Sequence, residues 1–274
     1  TDPDITARTV LEGVLRHVGA ELSAHETITA EQERWGGIWQ LTAEYESIAA
    51  AAQQDRWARL LAASGLTDAQ LAEAVGAETF GALAVELRRA EADGHQLDRL
   101  MPRLIAARGF SDADDIASVL HYRLERAVTG LGARPGQRPS LIVGLIPEAG
   151  GVTDPEMRAA LDERRDLIEA RAAALLDAAL ADPASWAARL GKPPTQAGAV
   201  SDWRNHLITV AAYRDRHGID DPDPLGVEPE RVSQKIDHER AAAALTRARQ
   251  ASARVPQPGS SRPAPARERR GPAR

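Results

Sequence analysis

Apolar residues recur along this chain at helical spacing, with Gly, Pro and Ser–Gly stops between the runs. Val10, Val14 and Val18 share a face with Leu11, Leu15 and Leu22. A second helix is expected to open at a Ser23/Glu26 capping box, in which the serine oxygen takes an orphan N–H and the glutamate reaches back. Its pattern passes Trp35, Trp39, Leu41, Tyr45 and Ile48, bends at Gly36–Gly37, and continues through Trp57, Leu60 and Leu61 to a stop at Ser64–Gly65. Thr67/Gln70 is another capping box, opening a short helix that ends at Gly76. Helices are also expected over 78–92 and 97–107. A further one is capped by Ser111, with Asp112, Asp114 and Asp115 in its first turn and Ile116, Val119, Leu120, Leu124 and Val128 as its buried stripe.

The pattern breaks over 129–152. This stretch is rich in Gly and Pro around one β-like run, Leu141 to Val143 with Leu145 and Ile146. No partner strand is evident, so it reads as an extended linker. A Thr153/Glu156 capping box with Pro155 in the first turn then opens a long helix to about Leu180. Met157, Leu161, Ile168, Ala172, Leu175 and Ala179 are its apolar positions, with Leu167, Leu176 and Leu180 alongside. A short helix with Trp186 and Leu190 follows. Another carries Trp203, Leu207, Val210, Ala211 and Tyr213 and closes at Gly218. A last helix spans about 228–253.

The expected fold is therefore all-α, a helical bundle in two parts joined by a Gly/Pro-rich linker. The domain reading is an N-terminal bundle at 1–130, a linker at 131–152, a C-terminal helical part at 153–253 and a disordered tail at 254–274. Composition agrees: 53 of the 274 residues are alanine, the best helix former, and only 4% are aromatic.

The absence of cysteine excludes disulfides, Fe–S clusters, thiolate zinc sites and a cysteine nucleophile. No apolar run approaches the length of a membrane span, and no signal-like segment opens the chain, so a cytoplasmic protein without membrane insertion is expected. The chain opens on Thr1 rather than Met, which suggests a longer parent.

Charge is unevenly placed. The tail holds Arg254, Arg262, Arg267, Arg269, Arg270 and Arg274 against Glu268 alone, a net +5, so residues 1–253 carry −11 of an overall −6. The tail's prolines, with Gly259, Ser260 and Ser261, leave too little apolar surface to offset ordering entropy. These six arginines are the candidate contacts to nucleic acid or to an acidic partner. A solvated tail with no partner reads equally well from the same residues. Only Lys192 and Lys235 are lysines, and Ala, Gly and Arg are abundant. A GC-rich genome accounts for that bias without nucleic-acid binding.

Other chemistry is sparse. There is no P-loop, no dinucleotide fingerprint and no nucleophile elbow. The seven histidines form no ligand spacing; His121 and Glu125 sit four apart on one helix without a third ligand nearby. Helix-start preference accounts for Asp112, Asp114 and Asp115, and core packing for Trp35, Trp39 and Trp57. Arg214, Arg216 and His217 are better read as complementing the end of a helix than as a phosphate site.

Several segments resemble the C-terminal region of MobF family conjugative relaxases, the large relaxase–helicases of plasmids and integrative elements in high-GC bacteria. They are Gln40-Leu-Thr-Ala-Glu-Tyr-Glu46, Gly81-Ala-Leu83 with Leu87-Arg-Arg-Ala-Glu-Ala92, Pro102-Arg-Leu-Ile-Ala-Ala-Arg108, Asp112-Ala-Asp-Asp-Ile-Ala-Ser-Val-Leu-His121, Gly144-Leu-Ile-Pro-Glu148 and Ala211-Ala-Tyr-Arg-Asp-Arg216. Their order and number carry the likeness, which spans most of 20–250; no one of them is a mechanistic motif. The resemblance implies a parent with a tyrosine-dependent, three-histidine relaxase and a RecD-like helicase ahead of this region. None of those nicking or ATP-binding residues has a counterpart here. The implied role is a non-catalytic accessory and docking module without a cofactor, contacting single-stranded DNA, the relaxosome or a type IV coupling protein. The alternative is a stand-alone helical DNA-binding or protein-interaction module.

Overall fold

In a computed structural model, residues 36–131, 139–190 and 193–253 are described. They form eight α-helices, one 3-10 turn and a two-stranded hairpin. The helices are α1 (Ile38–Ala63), α2 (Asp68–Gly76), α3 (Phe80–Ala92), α4 (Leu97–Ala106), α5 (Ile116–Leu131), α6 (Pro155–Ala181), α7 (Ala197–His217) and α8 (Val232–Ala253). The strands are β1 (Leu141–Ile142) and β2 (Ile146–Pro147), and the 3-10 turn is Trp186–Leu190. The all-α expectation holds. The helix read at 10–22 and the Ser23/Glu26 cap lie outside the described residues, as does the tail with Arg254, Arg262, Arg267, Arg269, Arg270 and Arg274.

Helix α1 runs 26 residues, about 39 Å at 1.5 Å per residue. Gly37 is its N-cap, with extended backbone, so the glycine pair starts this helix and does not bend it. Its buried stripe is Ile38, Leu41, Thr42, Tyr45, Ala49, Gln53, Trp57 and Leu61. The stripe serves two cores. Trp57 and Leu61 pack with Phe80, Leu83 and Leu87 of α3, Met101 and Ile105 of α4, and Leu120 and Leu124 of α5. Ile38, Leu41, Tyr45 and Ala49 pack with the hairpin, α6, Tyr213 of α7 and Ala241 of α8. A third cluster joins Leu176 of α6, Trp186 and Leu190, Trp203 and Leu207 of α7, and Leu245 of α8. Core membership thus changes partway along α1, and not only at the sequence break near 131–152.

Two helix starts differ by a residue or more from the sequence reading. The N-cap of α6 is Asp154, not Thr153: its carboxylate accepts from the N–H groups of Glu156 and Met157, each at 2.9 Å, with Pro155 as the first helical residue. An aspartate two and three residues before those donors fits the cap geometry better than the preceding threonine. At α5, Asp115 and not Ser111 caps the helix, accepting from Ser118 N–H at 3.0 Å and from the Thr79 hydroxyl. The Thr67/Gln70 box closes α2 as expected, with both reciprocal bonds made.

The expected linker is corrected over 141–147. It is a buried antiparallel hairpin, pairing Leu141 with Pro147 and Ile142 with Ile146. What reads as one β-run is two strands folded on each other. Leu145 N–H closes the turn onto Ile142 O at 3.0 Å. Both central residues have positive φ, 45° at Val143 and 77° at Gly144, the pattern of a type I′ turn. A Cβ at Gly144 would lie 2.5 Å from Thr209 Oγ1 on α7, so only glycine lets the turn seat there. Ile142, Leu145 and Ile146 are almost fully buried, which plugs the hairpin into the second core.

Candidate functional site

Four of the segments set out above, far apart in sequence, meet around this hairpin. Leu41 and Tyr45 from the first, Leu145 and Ile146 from the hairpin segment, and Ala212 and Tyr213 from the α7 segment share one core. Arg88, from the α3 segment, is 1% exposed and lies in the field of Glu46 and Tyr45 on α1. The remaining pieces, on α4 and at the start of α5, line the first core through Ile105, Ile116 and Leu120.

Charged side chains lash these elements together. Tyr45 Oη accepts from Ala149 N–H at 2.8 Å, and burial raises the phenol's pKa above its ordinary value. Gln53 Nε2 donates to Gly150 O at 2.8 Å. Arg56 donates to the same carbonyl at 3.1 Å, pairs with Glu91 of α3, and lies over the Trp57 ring at 4.4 Å. Glu44 of α1 holds Arg164 of α6 at 2.7 Å. Asp215 of α7 accepts Ile38 N–H at 2.7 Å and Arg171 at 3.1 Å. Glu46, Arg216, Asp237 and His217 form a chain of contacts from α1 through α7 to α8, with Arg216 at 3.1 Å and His217 Nε2 at 2.9 Å from one Asp237 oxygen.

Arg88 stands apart from this bookkeeping. Its Nε and Nη1 are buried without a hydrogen-bond partner. Burial pulls its pKa below the ordinary arginine value, with Glu46 and Tyr45 opposing that pull. Sequence gave no sign of it, since Arg88 sits beside Arg89 in a run that reads as a polar face.

The side chains singled out from sequence have structural work. Arg214, beneath the loop after α7, donates to the carbonyls of Asp221 and Asp223, both at 2.7 Å, and lies 5.4 Å from the Trp186 ring centroid. It pins that loop from the last turn of α7, where a cation complements the helix end as expected, and its donors are taken up by the loop carbonyls. Arg216 and His217 are spent on Asp237. Trp57 is 1% exposed, as core packing requires, but Trp39 is 49% exposed and leaves the core set; Trp35 lies outside the described residues. Trp39 falls between Ile38 and Leu41 on α1, off the face that meets α6 and the hairpin. His121 and Glu125 share α5, and no group of three or more potential metal ligands occurs among the described residues.

Two clefts flank the second core. One, of about 400 Å³, lies between Trp186, Arg214 and the loop at Asp220 and Asp221. The other, of about 220 Å³, lies between the exit of the hairpin and α6 and is lined by Tyr45 and Arg158 among others. No helix among the described residues is long and apolar enough to cross a membrane. Comparison with protein-family models, with curated proteins and with solved structures returns no match.

Proposed function

We propose that this chain is a helical accessory and docking module of a conjugative DNA-transfer relaxase, with nicking and unwinding carried by other parts of the parent protein. The observation that carries the reading is the ordered set of segments resembling the C-terminal region of MobF family relaxases. Support comes from where they sit: residues 40–46, 87–92, 144–148 and 211–216 converge on one hairpin-centred junction. A likeness spread over surface loops would carry less weight.

The role of the module is contact and positioning. An acidic body of −11 repels phosphate, so the arginines from Arg254 to Arg274 are the part able to engage DNA or an acidic face of a partner. The partners proposed are single-stranded DNA, the relaxosome and a type IV coupling protein, met in the cytoplasm. The test uses the purified chain with and without residues 254–274, against a single-stranded transfer-origin oligonucleotide and against a coupling protein. Binding to the coupling protein, lost with the tail, with neither strand cleavage nor ATP hydrolysis, is the expected result. Turnover by this chain alone would overturn it.

The +5 tail favours one second reading, a stand-alone DNA-binding module. That reading expects DNA affinity that falls steeply with salt and disappears with the tail.

A further inference from the structure

The cleft between the hairpin exit and α6 is lined by a cation, Arg158, and an anion, Glu148, neither of which has an ion-pair partner within 4.0 Å among the described residues. It is lined by Tyr45, Glu148, Gly151, Arg158, Asp162 and Arg165, over an apolar floor that includes Leu161. Arg165 is neutralised, with Asp162 at 3.0 Å and Asp166 at 3.5 Å. Arg158 is not. Its guanidinium donates to Val152 O, and no carboxylate among the described residues comes within 4.0 Å of it. Glu148 accepts a hydrogen bond from the Ser140 hydroxyl and lies in the field of Arg165, but no cation among the described residues comes within 4.0 Å of it. Arg158 and Glu148 therefore do not pair with each other across the cleft. The Tyr45 phenol, 3% exposed, uses its oxygen to accept from Ala149 N–H, which leaves its own proton to give.

The geometry points to a binding site for a small zwitterion, an amino acid or a molecule of that class. Its carboxylate would lie against the Arg158 guanidinium with the Tyr45 hydroxyl as second donor, and its ammonium against Glu148. A lone anion would face Glu148, and a lone cation would face Arg158; a molecule carrying both charges satisfies both. The cleft volume of about 220 Å³ suits a ligand of that size. This site is independent of the docking role proposed above.

The test is a titration of the whole ¹⁵N-labelled chain with glycine, β-alanine and 4-aminobutyrate, which step the separation between ammonium and carboxylate. Acetate and methylammonium are the single-charge controls. The amides of Ala149, Gly151 and Val152 report. One of the three zwitterions is expected to saturate these shifts, with both controls weaker by about tenfold or more. Arg158→Gln and Glu148→Gln should each weaken that zwitterion by about the same factor. The comparison of probes on the unmodified chain decides without relying on the variants' folding. Acetate binding as well as the zwitterion would make this a plain anion site and overturn the proposal. So would unmoved amides with every probe.

Discussion

Arg240 on α8 grips Asp93 at the end of α3, with Nη2 3.0 and 3.1 Å from the two carboxylate oxygens, while its Nη1 donates to Leu145 O at 2.8 Å. These residues are 147 positions apart. One guanidinium therefore ties the last helix to the first core and to the hairpin of the second. Both side chains are largely shielded from solvent, where charge-assisted bonds count for more than on the surface. Arg240→Met keeps the length of the stem and removes all three bonds. It should lower stability by about 2 kcal/mol in urea unfolding followed by circular dichroism. Asp93→Asn should cost less, and a double-mutant cycle should return a coupling above about 0.5 kcal/mol. Additive losses would mean that the pair does not link the two cores.

The hairpin turn stores strain that a substitution can release. Val143 holds φ at 45°, where a β-branched residue is a true outlier and asparagine is at home. Val143→Asn should raise stability by about 0.5–1 kcal/mol. Gly144→Ala should do the opposite and by more, because the added methyl meets Thr209 of α7 and the φ of 77° disfavours it. Paired melting curves of the two variants check this, and a loss on Val143→Asn would show that the valine side chain outweighs its backbone strain.

Asp115 ties the start of α5 to Thr79, just before α3. The Thr79 hydroxyl, and after it the Ser118 N–H, holds the carboxyl below its ordinary value of 3.8. A folded-state pKa below the unfolded one adds stability that is complete above the unfolded value and disappears as pH falls through the folded one. Urea midpoints taken from pH 7 down into the acid range should drop less steeply for Asp115→Asn than for the unmodified chain. The variant should also lose a cap contribution of about 1 kcal/mol or less at neutral pH, since asparagine caps nearly as well. Parallel pH profiles would assign the acid sensitivity to other carboxylates.

Local signals read the helices well. The Thr67/Gln70 box, the αL stop at Gly218 and the stripe from Ile116 to Leu124 all appear where spacing puts them. Long-range choices were not written at that scale. Nothing near Gly36–Gly37 says whether a helix bends there or begins, because both need the same two flexible residues. Leu141 to Ile146 reads as one β-run, since the turn that divides it begins at the positive φ of Val143, and valine is the residue least expected to adopt one. The cleft draws Tyr45, Glu148 and Arg158 from three elements, so no spacing in the chain brings them into view. The six tail arginines were visible as a composition change, but they lie outside the described residues, so their role rests on charge alone.

Arg88 gives the sharpest test of how charge is handled inside the first half of the fold. It is 1% exposed, yet Nε and Nη1 donate to nothing. Thr42 Oγ1 and Gln53 Oε1 on the buried stripe of α1 are also without partners. A buried donor that has given up water and found no acceptor costs about 1–3 kcal/mol, more when charged. Arg88 is among the largest fully buried side chains, so shortening it to alanine would open a cavity and mask that term. Methionine fills similar space without the charge. Arg88→Met should therefore raise stability by about 1–3 kcal/mol, while Arg88→Ala lowers it. A loss with methionine would mean that the guanidinium draws real support from Glu46, whose field already opposes the fall in its pKa. In that event a double-mutant cycle of Glu46→Gln with Arg88→Met should return a coupling of similar size, over and above the loss of the Glu46–Arg216 contact.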